Sequence, residues 1–177
     1  MYRPLCAVFG LHLVAVGALS AQQAILWRVR GDTSGAPPGC SAAAGISAIN
    51  AWFAAFRDAD SAGLGRATAA SYRGRFVFST GRFTTAETFF VAHTLQELLP
   101  YARERARRHE RMTVQEVTFN RWRGRGLEFG PIYLMRTADD LGDKPLAGIG
   151  KGEYWCGQGL SVLNLGPRPD FDPGPRQ

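Results

Sequence analysis

The chain has 177 residues, of which 45% are hydrophobic and 20% charged, and this suits a single domain with one core. No repeat is present, and no stretch after the N-terminus is apolar enough to span a membrane. The net charge of +6 comes from arginine, since Lys144 and Lys151 are the only lysines. Such a bias is typical of a GC-rich bacterial genome, so the charge alone does not indicate nucleic-acid binding.

Residues 1–21 have the pattern of a signal peptide. Arg3 supplies a positive charge, and residues 5–19 form an almost wholly apolar run. Ala18 and Ser20 then provide small side chains at the −3 and −1 positions of a cleavage site. These features predict cleavage before Ala21 or Gln22.

A membrane anchor is the competing interpretation of this N-terminus. An anchor needs about 20 apolar residues, whereas this run is shorter and is interrupted by His12. We therefore expect an exported protein, periplasmic or extracellular, that has no membrane contact after cleavage.

The three cysteines agree with export. Removal of Cys6 with the signal peptide leaves Cys40 and Cys156 as one pair. In an oxidising compartment a lone pair is most simply a disulfide, and two buried free thiols are the alternative. No CxxC or Cys/His cluster is present, so we expect no metal site and no cofactor.

Composition divides the remaining chain into three parts. Residues 22–40 end in a run of Gly, Ala and Pro and are expected to form an N-terminal linker. Residues 41–166 carry the apolar patterns of a folded domain. Residues 167–177 are rich in Pro with little to bury, and we expect a disordered tail.

The domain begins with helical patterns. Apolar residues recur at three- and four-residue spacing over 46–56, which predicts an amphipathic helix with Ser41 as its N-cap. Residues 58–61 break this helix, and 62–70 form a short second one. Residues 72–79 are typical of a strand.

Two capping-box patterns follow. Thr84-x-x-Glu87 predicts a helical segment through residues 89–90, and Thr94-x-x-Glu97 begins a longer helix from Leu95 to about Arg111. The apolar seam of the longer helix consists of Leu95, Leu98, Leu99, Ala102, Ala106 and His109.

Three extended stretches complete the domain, over residues 113–122, 127–137 and 146–165. The last contains Gly157-Gln158-Gly159 and is expected to fold into a hairpin. Residues 139–143 are rich in Asp, but they lack the spacing of a calcium loop and are interpreted as a turn.

This order of elements resembles the nuclear transport factor two-like superfamily, which includes ketosteroid isomerases, dehydratases and polyketide cyclases. The resemblance covers residues 41–166. It rests on an aromatic-bearing helix with an Asp-containing break, ISAINAWFAAFRDADSAGLGRATAASY, and on a closing hairpin, GKGEYWCGQGLSVLNLG. It implies an α+β fold in which a curved, mostly antiparallel sheet wraps around the long helix and leaves a conical pocket.

The pocket implied by this resemblance should be lined mainly by apolar groups. We expect it to hold a small apolar ligand with these residues: Trp52, Phe53, Phe56, Leu98, Tyr101 and His109. The resemblance implies no particular reaction, because the fold hosts both enzymes and binding domains.

Two alternatives from other classes remain open. The first is a small lyase or isomerase that uses His109 or Asp60 as the acid–base group together with Tyr101. The second is an interaction domain that forms a homodimer through the open face of its sheet. We expect no nucleic-acid partner, because Glu97, Glu104 and Glu110 interleave with the arginines from 103 to 111 and indicate a solvated helix face.

Overall fold

The computed structural model describes residues 28–31, 36, 40–69, 76–122 and 126–168. The expected signal peptide and almost all of the Pro-rich tail lie outside the described residues. The described helices are α1 (Ala42–Arg57), α2 (Ser61–Ala67) and α3 (Leu95–Arg107). The described strands are β1 (Arg28–Arg30), β2 (Val77–Thr80), β3 (Phe90–Ala92), β4 (Arg111–Trp122), β5 (Gly126–Thr137), β6 (Leu146–Trp155) and β7 (Gly159–Pro167).

The described strands form one mixed sheet in the order β1-β4-β5-β6-β7-β2-β3. Neighbours from β4 to β7 are antiparallel, as are β2 and β3, whereas β1 lies parallel to β4 and β2 parallel to β7. Register shifts interrupt the pairing of β4, β5 and β6, and such bulges bend a sheet. The predicted α+β architecture with a mostly antiparallel, curved sheet is confirmed.

Strand β1 belongs to the stretch that we expected to be an irregular linker. Its three residues pair with residues 116–118 of β4 and extend the sheet at that edge. The linker therefore contains at least one ordered contact with the domain.

Helix α1 forms as its apolar spacing predicts. The side chain of Ser41 accepts a hydrogen bond from the backbone N–H of Ala44 at 3.1 Å, which caps the first turn. The buried face contains Ile49, Trp52 and Phe56, and it points at the concave side of the sheet. Asp60 caps α2 in the same manner by accepting from Ala62.

Three glycines on β6 shape the concave side of the sheet. Gly148, Gly150 and Gly152 pair with the inward residues Leu134, Ile132 and Phe129 of β5. A Cβ atom on Gly152 would lie 2.4 Å from both the Phe129 ring and the Val162 carbonyl oxygen. Because these three β6 residues have no side chains, side chains of β5 and β7 pack directly over the β6 backbone. The sheet therefore lies close to the helices.

Helix α3 begins at Leu95, as predicted, but ends at Arg107 instead of about Arg111. His109 adopts a positive φ of 51°, and the N–H of Glu110 then bonds to the carbonyl of Arg105 at 3.0 Å. This C-terminal turn stops the helix and carries Glu110 towards the interior. Leu98 and Ala102 are buried, while Leu99 and Ala106 are half-buried.

The predicted helical segment through residues 89–90 is wrong. Residues 81–89 form neither helix nor strand, and Phe90 begins β3. The capping-box groups close only one turn, in which the N–H of Phe83 bonds to Glu87 Oε2 at 2.9 Å. The helix does not continue because the other carboxylate oxygen of Glu87 lies 2.7 Å from Arg136 in the interior.

A disulfide joins Cys40 to Cys156, with 5.0 Å between their Cα atoms. It connects the chain just before α1 to the turn between β6 and β7, as predicted. None of the helices in the described residues combines the length and the apolar character that a membrane span needs.

Candidate functional site

An aromatic cluster occupies the concave side of the sheet, and we call it the aromatic wall. Its members are Trp52, Phe56, Phe78, Phe90 and Tyr101. Trp52 and Phe56 stack with 5.2 Å between ring centroids, and Phe90 and Tyr101 stack at 4.1 Å. Phe78 lies between these two pairs, with ring centroids 5.2 Å from Trp52 and 6.2 Å from Tyr101.

The structure brings five of the six predicted pocket residues into one core. Trp52, Phe56 and Leu98 are completely or almost completely buried, and Phe53 packs edge-on against Trp52 at 5.4 Å. Tyr101 is half-buried and packs against that core. Much of the cone is therefore filled by these side chains themselves.

A group of ionised side chains lies next to the aromatic wall, and we call it the charge cluster. Its members are Glu87, Arg105, Glu110, Arg136 and Asp140. Arg136 is completely buried and Glu110 is 2% exposed. Arg136 Nε donates to Glu110 Oε1, and Nη2 donates to Oε2, each at 2.8 Å.

Arg105 extends the charge cluster to the loop between β5 and β6. Its Nε donates to Glu110. Its Nη1 and Nη2 donate to the two carboxylate oxygens of Asp140 at 2.8 and 2.9 Å. Glu110 thus bridges two guanidinium groups, one from the last turn of α3 and one from the end of β5.

The electrostatics of the cluster keep both guanidinium groups charged. Burial acts to lower the pKa of Arg136, but its hydrogen bonds and charge interaction with Glu110 outweigh burial, and the net shift is upward. The same balance, with Asp140 and Glu110 as partners, raises the pKa of Arg105. The hydrogen bonds from Arg105 lower the pKa of Asp140.

Tyr101 belongs to both the aromatic wall and the surroundings of the charge cluster. Burial raises the pKa of its hydroxyl to about 12, and the charges of Arg136 and Glu110 contribute smaller effects of opposite sign. The phenol therefore stays protonated at neutral pH. A protonated phenol can donate a hydrogen bond to an acceptor beside it.

The structure does not bring the predicted acid–base residues together. Asp60 is exposed as the N-cap of α2. The side chain of His109 is 78% exposed, and its Nδ1 lies 2.8 Å from Asp139 at the surface. His109 points outward because the positive φ after α3 turns it away from the apolar seam that the helical spacing had implied.

Sequence reasoning missed most of the charge cluster. It assigned Arg105 and Glu110 to a solvated helix face, which is correct for Glu104 with Arg107 and Arg108 but wrong for these two. One local signal was present on β5, where inward positions alternate as Leu127, Phe129, Ile132, Leu134 and Arg136. A charged residue in register with an apolar stripe indicates a buried ion pair.

Two depressions lie outside the cone. A groove of about 510 Å³ runs between α1, α2 and the β6–β7 turn, and its walls include Ala48, Ala51, Asp60 and Tyr154. A depression of about 470 Å³ lies at Pro131 and Ile149. Both are open to solvent.

The outward face of the sheet is not uniformly apolar. Glu128 and Glu153 pair across β5 and β6, and Lys151 lies exposed on β6. These charges interrupt the broad apolar face on which the homodimer alternative depends, and that alternative stays a prediction. Among the described residues, no group of three or more His, Cys, Asp or Glu side chains is arranged to hold a metal ion.

Comparison with solved structures identifies the fold. A protein of unknown function with a cystatin-like fold from Methylobium petroleophilum is 13% identical, with a TM-score of 0.56 over 79% of this chain and 86% of that one. A proposed dehydratase of the NTF2-like family from Streptomyces avermitilis is 11% identical, with a TM-score of 0.53 over 71% of this chain and 94% of that one.

A third similar structure contains a ligand. The Anabaena orange carotenoid protein binding canthaxanthin is 7% identical, with a TM-score of 0.51, and the match covers 67% of this chain and 34% of that one. No protein-family model matches the sequence, and neither does any curated protein.

Proposed function

Because the chain has the cone-shaped nuclear transport factor two-like fold, we propose that it binds a small apolar ligand inside the cone. Because the cone is largely filled, the ligand takes the place beside the aromatic wall and the charge cluster that side chains of residues 81–89 now occupy. One observation carries this proposal. Tyr101 stacks on Phe90 at 4.1 Å while its hydroxyl is within the field of the buried charges, so a single residue joins an apolar surface to a polar one.

A site of this composition matches the usual design of small-molecule pockets. Such pockets are mostly apolar and aromatic, with a few polar groups that orient the ligand. Burial of about 200 Å² of ligand at roughly 25 cal/mol per Å² supplies about 5 kcal/mol before association costs. A free energy of about 5 kcal/mol corresponds to a Kd of roughly 0.2 mM, so after association costs we expect affinities no tighter than millimolar.

The charge cluster supports a binding role over a purely structural one. Each buried ion loses several kcal/mol of hydration, and a well-packed apolar core of the same volume is often at least as stable. A buried cluster of ionised groups beside an aromatic surface is therefore a good candidate for a functional site. Asp60 and His109 lie at the surface, so binding is favoured over acid–base catalysis by these residues.

The orange carotenoid protein gives the proposal a precedent within the fold. It carries canthaxanthin, an apolar molecule. At 7% identity this likeness extends to the fold and not to the ligand. We infer only that this chain, like that protein, binds an apolar guest.

The compartment of the protein is part of the same proposal. A disulfide between Cys40 and Cys156 requires oxidising surroundings, and export after cleavage before Ala21 or Gln22 supplies them. Mass spectrometry of protein recovered outside the cytoplasm is expected to show this new N-terminus. Recovery of the chain with Met1 intact, or only in the membrane fraction, contradicts export.

The ligand site is tested by nuclear magnetic resonance titration with octanol as a neutral apolar probe. We expect shifts concentrated at Trp52, Phe90 and Tyr101, together with a change in tryptophan fluorescence that the Trp52→Phe variant abolishes. Tyr101→Ala removes a residue of the proposed site and should weaken binding. Tyr133 lies on the outward face of the sheet, so Tyr133→Ala is the matched control that should not. Shifts centred on Tyr133 and Ile149, or no shift at all, contradict the proposal.

A further inference from the structure

One terminal nitrogen of Arg136, Nη1, is paired by charge but donates no well-oriented hydrogen bond. Its Nε and Nη2 atoms bond to Glu110, whereas the buried Nη1 has no hydrogen-bond partner. Glu87 Oε1 lies 2.7 Å from Nη1, which gives an ion pair whose orientation falls short of a hydrogen bond. Glu87 therefore balances the charge at Nη1 but does not accept a well-oriented hydrogen bond from it.

Glu87 is carried by residues 81–89, which we call the cover segment. One end is fixed by the N–H of Gly81, which bonds to the Leu165 carbonyl at 2.8 Å, and the other end enters β3. Most side chains between these ends are exposed, including Phe89 at 64%. Two side chains, of Phe83 and Glu87, hold the segment to the interior.

Phe83, like Glu87, is a side chain of the cover segment that occupies a place next to Arg136 where a ligand could bind. Its ring lies over the guanidinium of Arg136, 4.7 Å from the Cζ atom to the ring centroid. The ring also occupies the space that a side chain on Gly148 would need, since a Cβ atom there would lie 2.9 Å from it. An apolar ring and a carboxylate from one short segment thus occupy the interior end of the cone.

We propose that Glu87 holds the place of a ligand carboxylate, and that the natural ligand is an apolar monocarboxylic acid that displaces Glu87 and bonds to Arg136 Nη1. This inference rests on the proposed ligand site in the cone and names its substrate class. The acid group replaces Glu87, and the apolar body lies against the Phe90–Tyr101 pair. Displacement of Glu87 frees the cover segment to move outward.

Charge balance selects a monoanion. The charge cluster holds two guanidinium groups and three carboxylates, so one carboxylate replaces another without a change of net charge. A phosphate or a dicarboxylate would add negative charge to a buried site that already has an excess of it. A neutral ligand would leave Glu87 in place and gain no bond from Arg136.

The test compares octanoate with octanamide, which has the same apolar body and no charge. The Glu87→Gln variant removes the competing carboxylate and leaves two guanidinium groups facing two carboxylates, so the cluster stays balanced. Glu104→Gln is the control, because Glu104 forms ion pairs on the exposed face of α3. Isothermal titration calorimetry measures the Kd of each probe for each protein.

We expect octanoate to bind the wild type more tightly than octanamide does. Glu87→Gln should lower the octanoate Kd about tenfold, which is the low end of what one hydrogen bond to a charged group contributes, because the competing carboxylate is gone. The octanamide Kd should not change, and Glu104→Gln should change neither Kd. Replacing octanoate by 3-phenylpropionate separates an alkyl from an aromatic preference.

Two outcomes overturn the inference, and they are distinguishable. If octanamide binds as well as octanoate and Glu87→Gln changes neither, the cone binds apolar ligands but Glu87 holds no carboxylate site. If neither probe binds the wild type or Glu87→Gln, the proposed ligand site fails together with this inference.

Discussion

Arg136 and Glu110 face each other inside the cone as a two-bond pair, with both N–H donors at 2.8 Å from the carboxylate oxygens. Both side chains are within a few per cent of complete burial. Glu110 comes from the turn after α3 and Arg136 from the end of β5, so the pair joins the helix layer to the sheet.

Loss of the Glu110 carboxylate is expected to destabilise the domain strongly. Glu110→Gln removes the carboxylate that Arg136 and Arg105 share, so Arg136 keeps only Glu87 and Arg105 keeps only Asp140. Breaking a buried ion pair by removing one partner costs about 3–5 kcal/mol. Chemical denaturation measures this loss. Glu104→Gln removes a carboxylate of α3 that pairs at the surface, and it should leave the denaturation midpoint unchanged. If the two variants lowered the denaturation midpoint equally, the buried position of Glu110 would not explain its contribution to the stability of the domain.

The glycines of β6 offer a second test. Gly152→Ala places a methyl group 2.4 Å from the Phe129 ring and from the Val162 carbonyl oxygen. Because backbone must move to relieve this overlap, we expect a loss of about 1–3 kcal/mol of unfolding free energy. Gly166→Ala is the matched control on β7, where a Cβ atom meets nothing within 4 Å. A Gly152→Ala protein as stable as the control would contradict the tight closure of the sheet.

The disulfide spans 116 residues. In the chain-entropy model a loop of this length stabilises the folded state by about 4–5 kcal/mol. The Cys40→Ser, Cys156→Ser double variant should therefore unfold at a much lower denaturant concentration.

Thiol labelling of unfolded, unreduced exported protein should detect no free cysteine. Two labels for each mature chain would refute the pairing.

Glu153 gives a prediction with a defined pH dependence. Burial raises its pKa, and the neighbouring Glu128 adds to the effect, while the hydrogen bond from Ser161 opposes it. A carboxyl group whose pKa is higher in the folded state than in the unfolded state destabilises the protein at pH values at which the group is ionised. This penalty disappears as the pH falls and the group becomes protonated. Glu153→Gln should therefore raise the melting temperature at pH 7 and lose that advantage towards pH 4. A constant difference at all pH values would contradict this explanation.

The sequence by itself determined the three helices and the four long antiparallel strands, whereas it missed the short strands β1 and β3. The apolar spacing from Ile49 to Phe56, the Ser41 cap and the Gly157–Gly159 turn are local signals, since they act within a few residues of one another. The disulfide between Cys40 and Cys156 also followed from the sequence, because Cys6 lies in the expected signal peptide and the rest of the chain contains only this pair.

Only the tertiary structure decided which charged residues are buried. Glu87 and Glu97 lie in identical capping-box patterns, yet Glu97 caps α3 whereas Glu87 points to Arg136, 49 positions away in the chain. Arg105 and Arg107 likewise lie in one helical turn with opposite exposure. Local spacing cannot distinguish such pairs. The attraction that offsets the desolvation of a buried ionised group comes from a partner elsewhere in the sequence. The two groups come into contact only when the sheet closes around α3.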